Sequence, residues 1–211
     1  MPFDFKKEYK EFYMPQEVPA MVEVPEANYL AVRGKGNPNE EGGEYKRAVE
    51  MLYSVAYTLK MSYKTDHRIE GFFEYVVPPL EGFWWQEGVA GVDLSRKDEF
   101  CWISVIRLPD FVTREDFEWA VAVATKKKKI DCSKVEFMTI SEGCCVQILH
   151  IGAYDDEPRS VAKMEEWMES NGYKADFSAT RLHHEIYLSD VRKTPAEKLR
   201  TVIRHPICKK D

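Results

Sequence analysis

Apolar residues along the chain recur at every second position in some stretches and at every third or fourth in others, which predicts strands interleaved with amphipathic helices. Residues 29–33 read as a strand and turn through Gly34-Lys35-Gly36-Asn37-Pro38. From residue 43 to about 61, Tyr45, Ala48, Val49, Leu52, Val55, Ala56 and Leu59 follow the spacing of a helix with one buried stripe. Tyr53 and Tyr57 lie four apart on a neighbouring face of that helix. A strand is expected over 72–77, then a break at Pro78-Pro79, an insertion to about residue 97, and a strand over 100–108. The first unit is therefore β-α-β-β.

A connecting helix is expected to start at Thr113, whose hydroxyl can cap it with Asp116 three residues on, and to end in the lysine run 126–129, where positive charge suits the helix dipole. The element order then repeats: a strand over 144–151 and a helix from about 157 to 170, with Pro158 near its first position and Gly172 as a stop. Val161, Met164 and Met168 form that helix's core stripe. A strand over 183–188, a capping box at Thr194-Pro195-Ala196-Glu197 and a strand over 201–207 complete the chain. The expected fold is α+β in one domain of two tandem β-α-β-β units, at about 20–110 and 133–211, joined by a linker helix at about 113–126.

An internal echo supports two units. Val105-Ile106-Arg107-Leu108-Pro109 resembles Val202-Ile203-Arg204-His205-Pro206, and upstream of each lies an apolar segment carrying one acid, Glu74 in the first and Glu185 in the second. So short a likeness also arises by chance or from shared strand chemistry. If the units pack about a pseudo-two-fold axis, a cleft forms between them, and such interfaces commonly hold apolar ligand sites.

Composition narrows the partners. The 211 residues are 44% hydrophobic and 31% charged, enough for a substantial core. The 30 Lys and Arg against 36 Asp and Glu leave a net charge of -6, which opposes non-specific binding to nucleic acid or anionic lipid. No signal-peptide pattern is evident and no apolar run approaches the roughly 18 residues of a membrane helix, so a cytoplasmic location is expected. Cys101, Cys132, Cys144, Cys145 and Cys208 lack CxxC pairing and read as reduced thiols. The histidines form no HExxH pattern, and in His183-His184-Glu185 neighbouring side chains point to opposite strand faces. No metal or other cofactor is expected.

The run His184-Glu185-Ile186-Tyr187-Leu188-Ser189-Asp190, followed by Thr194-Pro195 and Lys198-Leu199, together with Leu80-Glu81-Gly82-Phe83-Trp84-Trp85, resembles the GyrI-like small-molecule-binding family over nearly the whole chain. Members are similar to effector-binding domains of multidrug-responsive transcription activators, with two SHS2-type β-α-β-β units around a central cleft. The resemblance places Glu185 in that cleft, facing cationic or polarised aromatic ligands. It also implies a hydrolase role, since some stand-alone members open the strained cyclopropane of DNA-alkylating natural products.

Strand alternation independently puts His183, Glu185 and Tyr187 on one face and His184, Ile186 and Leu188 on the other. A carboxylate among aromatic rings attracts cations and, when desolvated, can serve as a general acid or base. Glu185 orients or deprotonates water in that reading, and Tyr187 or His183 polarises the substrate carbonyl. The alternative is that Glu185 is an exposed residue of a half-buried strand and Tyr187 a rim aromatic.

Glu74 would enter the cleft from the first unit, although a structural carboxylate fits as well. The spacing from Glu74 to Val105 is 31 residues against 17 from Glu185 to Val202, so Trp84 and Trp85 are expected on an extra segment that forms a mobile aromatic lid. Tyr53, Tyr57, Trp102 and Tyr154 are candidate walls, each also suited to the core. Two functions stand: a hydrolase detoxifying cyclopropane-bearing alkylators, and a non-catalytic module that sequesters or senses aromatic, often cationic molecules. About 25 residues before the first strand are too few for a helix-turn-helix domain, so the regulatory half of a transcription factor is disfavoured. A gyrase-type protein partner is conceivable, but no patch in the sequence identifies one.

Overall fold

The computed structural model describes residues 1–89 and 92–210. Two helical turns, α1 (Phe5–Glu8) and α2 (Lys10–Tyr13), precede β1 (Ala20–Val24) and β2 (Ala27–Lys35). Helix α3 (Glu44–Lys60) leads to β3 (Leu80–Trp85) and β4 (Cys101–Arg107). Helix α4 (Arg114–Lys128) crosses to β5 (Glu136–Ile140) and β6 (Gly143–Ile151), and α5 (Pro158–Ser170), β7 (Tyr173–Ala175), β8 (His183–Tyr187) and β9 (Arg200–Lys209) follow. The fold is mixed α+β around one large antiparallel sheet of order β1-β6-β9-β8-β3-β4-β2-β5, with β7 added against β9.

Local chemistry explains the principal helices. Thr113 caps α4 in a reciprocal capping box with Asp116, and Lys129 closes that helix in the left-handed conformation after the lysine run. Pro158 occupies the first turn of α5, and Gly172 (φ +74°) follows its end. Among the described residues all five cysteines are free thiols.

Two expectations need correction. Residues 72–77 form no strand; instead Phe3 N–H donates to Glu74 O and Val76 N–H donates to Phe3 O, so the segment is tied to the N-terminus. Its apolar alternation serves packing, with Tyr75 buried beside Phe5 and Phe12. The strand begins after Pro78-Pro79 as β3, which carries both tryptophans. Likewise Thr194-Pro195 opens only a 3-10 turn, Ala196–Lys198, without a side-chain cap, because the chain re-enters the sheet at Arg200.

Helices α3 and α5 cover one face of the sheet. Even positions Leu30, Val32, Trp84, Trp102 and Ile106 pack with Leu52, Val55 and Leu59 of α3, while Ile148, Ile203 and Ile207 pack with Met164 and Met168 of α5. Gly34 lies opposite Trp102 in the β2–β4 register, and a Cβ there would fall 2.2 Å from the indole, so only glycine admits this tryptophan.

The other face holds a buried ionic cluster. His184 Nδ1 bonds Glu142 Oε2 at 2.9 Å and its Nε2 lies 3.0 Å from Glu81 Oε2. Arg204 donates to Glu142 Oε1 (2.8 Å), to Gln147 Oε1 and to the Phe12 carbonyl, while Tyr13 donates to Glu81. Burial alone would raise the Glu142 pKa, but His184 and Arg204 outweigh it and hold that carboxyl at about 2. Burial likewise opposes the charge on His184, yet Glu142 and Glu81 lift its pKa above the ordinary value.

Removing Glu142 strands two buried cations, so Glu142→Ala should cost about 3–5 kcal/mol in urea unfolding. Because Glu142 is depressed in the folded state, its contribution is present above about pH 4.5 and fades as pH falls toward about 2. Glu142→Gln should flatten that acid limb; an unchanged limb would remove Glu142 as its source.

Candidate functional site

The register brings the site together. Gly82 pairs with Glu185 and Trp84 with His183 across β3–β8, which places all four on the helix-covered face near Tyr187. A Cβ on Gly82 would lie 2.6 Å from Trp84 Nε1 and 3.0 Å from the Tyr187 hydroxyl, so glycine here clears the space in which those two groups meet.

A continuous hydrogen-bond chain follows. Trp84 Nε1–H donates to Tyr187 Oη (2.9 Å), whose proton goes to Glu185 Oε2 (2.8 Å). Glu185 Oε1 lies 2.9 Å from His183 Nε2, and His183 Nδ1 lies 2.7 Å from His205 Nε2. In the tautomer that donates from Nε2 to the carboxylate, His183 Nδ1 accepts from His205. Burial, reinforced by the neighbouring His183, pushes the His205 pKa well below its ordinary value. Tyr187 is pushed far above the usual phenol range by burial and by Glu185 beside it.

Glu157, which the sequence reading did not single out, completes the site from the N-cap of α5. It is 4% exposed, its Oε1 has no hydrogen-bond partner among the described residues, and its carboxyl faces Glu185 and His183 with ligand atoms all within 4.8 Å of one another. Burial first, then the Glu185 charge, lifts the Glu157 pKa well above the carboxylate range, so this carboxyl holds a proton where an exposed one would be ionised. The turn that carries it is pinned by His150, which bonds Ser160 Oγ (2.9 Å) and the Ala153 carbonyl (3.0 Å).

Of these groups Glu157, His183, Glu185 and His205 line a cleft of about 440 Å³, with Tyr187 and Trp84 behind them. Val161 and Met168 of α5, Phe177 before β8, and Val92 and Leu94 from the segment after β3 supply apolar walls. The arrangement is an acidic floor under an apolar mouth, suited to a ligand with a positive or polarised end and a hydrophobic body.

The residues expected at the site divide. His183, Glu185, Tyr187 and Trp84 are joined by hydrogen bonds, and Tyr154 packs edge-on to Tyr187 at 5.7 Å. Trp84 is buried in β3 rather than carried on a lid, and Trp85 points to the opposite face beside Phe83. Ala90 and Gly91 of the expected insertion lie outside the described residues. Glu74 is exposed away from the cleft, Trp102 is fully buried edge-on to Tyr45, and Tyr53 and Tyr57 sit on α3 with Tyr57 largely exposed. Tyr45, read only as part of a helical stripe, packs 5.4 Å from Trp84. No pattern in the sequence marked Glu157, since a glutamate before Pro158 reads simply as a helix start.

Because Glu157 binds its proton more tightly in the folded than in the unfolded chain, its contribution to stability is full below about pH 4.5 and is lost as pH rises through its elevated folded pKa. Glu157→Gln should therefore be more stable than the natural protein at pH 8 and gain less at pH 5, as read from urea midpoints. Equal gains at both pH values would show that the pair does not share this strain.

Comparison with known proteins agrees with this architecture. The profile of the GyrI-like small molecule binding domain matches residues 18–207. A crystal structure of a hydrolase from Listeria innocua is 46% identical with a TM-score of 0.89, covering 98% of this chain and 100% of that one. An uncharacterized conserved protein from Listeria innocua is 49% identical with a TM-score of 0.91 over the same shares. The EcmrR C-terminal domain, 15% identical, shares the fold at a TM-score of 0.57 over 90% of this chain and 97% of that domain. No curated protein matches the chain. Among the described residues no helix is long and apolar enough to cross a membrane. With the family profile spanning the sheet, both packed helices and the acidic cleft, the chain belongs to the GyrI-like small-molecule-binding family.

Proposed function

We propose that the cleft binds aromatic molecules with a cationic or electrophilic end and that the protein detoxifies cyclopropane-bearing DNA alkylators by hydrolysis. The observation that carries this reading is the buried Glu157 carboxyl set against Glu185 in an apolar cleft, where burial and the Glu185 charge raise the Glu157 pKa. Paired carboxyls whose environments separate their protonation states divide naturally into an acid and a base. The sheet order, which runs outward from the central β8–β3 pair through β9 and β4 to β6 and β2, supports two tandem units related by a pseudo-two-fold. The hydrolase description of a 46% identical relative is consistent with turnover.

In this mechanism Glu185 takes a proton from water as its oxygen attacks the cyclopropane methylene. The strained carbon–carbon bond breaks, its electron pair passes into the conjugated carbonyl, and Glu157 protonates that oxygen. Tyr187 and His183 hold the Glu185 oxygens through their own donors, so they position the base; a direct role in polarising the carbonyl would require either to release Glu185. No covalent nucleophile is needed. Burial and the neighbouring Glu142 push Cys145 to about 12, which keeps that thiol unreactive. A sequestering or sensing module is the second reading, favoured by the same charge complementarity without turnover.

Incubation with a cyclopropane-bearing alkylator, followed by mass spectrometry, should give multiple turnovers that fall by about 10²- to 10⁴-fold in Glu185→Gln. Binding of a cationic aromatic dye should weaken by about 10-fold or more in the same variant, since the buried charge is lost. Dye binding without product would select the sequestering reading, and dye affinity unchanged by Glu185→Gln would refute the charge-recognition role.

A further inference from the structure

Three donor groups converge at the cleft floor from two elements, Glu157 from the start of α5 and His183 and Glu185 from β8, with ligand atoms all within 4.8 Å of one another. Geometry beyond mere clustering points to a cation. The Glu157 side chain is almost wholly buried and lines the cleft, yet Oε1 has no partner among the described residues, and a polar atom removed from water without one is costly. A positive ion bound between the two carboxyl groups would satisfy it.

The surrounding hydrogen bonds have the pattern that orients metal ligands. A ligating histidine hands its other ring N–H to a neighbour. His205 Nε2, 2.7 Å from His183 Nδ1, is placed to accept that proton once His183 turns to the tautomer that frees Nε2. Tyr187 meanwhile retains Glu185 Oε2, leaving Oε1 free to coordinate. The present 2.9 Å between His183 Nε2 and Glu185 Oε1 matches the edge of an octahedral shell with bonds of about 2.0–2.2 Å, and a tetrahedral ion would open it to about 3.4 Å.

We propose that Glu157, His183 and Glu185 form a site for a divalent transition-metal ion, with the remaining coordination positions open to the cleft. One imidazole with two carboxylates suits zinc, manganese or iron better than calcium or magnesium, which take oxygen ligands. The ligands are set by the fold, and an ion on Glu157 and Glu185 would occupy the acid and base of the proposed hydrolysis, so the metal-loaded form should bind without turning over an alkylator. A bound ion would place a Lewis acid beneath the apolar walls and take over the space in which a ligand's positive end would rest.

The test is calorimetric titration of the full chain, first treated with chelator, with zinc, together with absorption spectra of the cobalt-loaded protein. One ion per chain is expected, weakened by about 10-fold or more in both His183→Ala and Glu157→Gln. His67→Ala, which removes a partly exposed histidine paired with Asp116 elsewhere, should bind as the natural protein does. The cobalt spectrum should lack thiolate-to-metal charge transfer, which excludes the five cysteines as ligands. Absence of binding, thiolate bands, or unchanged affinity in both variants would overturn the proposal. Circular dichroism identifies a variant that fails to fold, and Glu157→Gln, expected to be more stable than the natural protein, keeps the test decisive if His183→Ala unfolds. Dye binding measured on the same samples separates this outcome from the fate of the small-molecule reading.

Discussion

The site depends on the register of β8, and that register is held from behind. A one-residue slip would exchange the two faces of a strand, sending Glu185 into the buried layer and His184 into the cleft. His184 is clamped between Glu81 and Glu142, with Arg204 closing the cluster, so a slipped strand would leave buried charges unpaired. The His184 ring also stacks on Phe83 at 4.0 Å, tying β8 to its neighbour β3. Ionic groups on one face thereby aim the catalytic-type groups on the other. The N-terminal turns contribute through the Phe12 carbonyl and Tyr13, which seal the cluster from water.

On the cleft face the logic reverses: the groups are left under-compensated. Glu157 and Glu185 are pressed together under apolar walls, and Glu157 keeps an oxygen unpaired. Such strain is characteristic of functional sites, where stability is given up for reactivity. The raised pKa of Glu157 and the chain of donors running from Trp84 through Tyr187 to Glu185 are two parts of one device. Burial makes charge expensive, and the device decides which group carries it.

Glycine makes the packing around this device feasible. Gly82 leaves room for the meeting of Trp84 and Tyr187, and Gly34 admits Trp102, which in turn supports Tyr45 and, through it, Trp84. The rings that looked like ligand walls are thus partly the scaffold that holds the acid in place. The apolar surface offered to a ligand comes instead from aliphatic residues of α5, from Phe177 and from Val92 and Leu94.

The three long helices, the strands β2, β4, β6, β8 and β9, and the facing of β8 were legible from local signals, namely 3.6- and 2-residue periodicities, capping residues and proline positions, whereas the N-terminal turns α1 and α2 were not. His183, Glu185 and Tyr187 were legible as one set for the same reason. The strands β1, β5 and β7 lie at the margins of the sheet with most positions exposed or half-buried, so they carry little apolar alternation, and the alternation at 72–77 mimics a strand because packing against the N-terminal aromatics favours the same spacing. Trp84 and Trp85 looked like a loop insertion only because the strand was placed one segment too early. Glu157 became visible only in three dimensions. Its role arises from the approach of α5 to β8, 26 residues away in sequence, and a desolvated carboxyl pair is a property of that approach rather than of either segment.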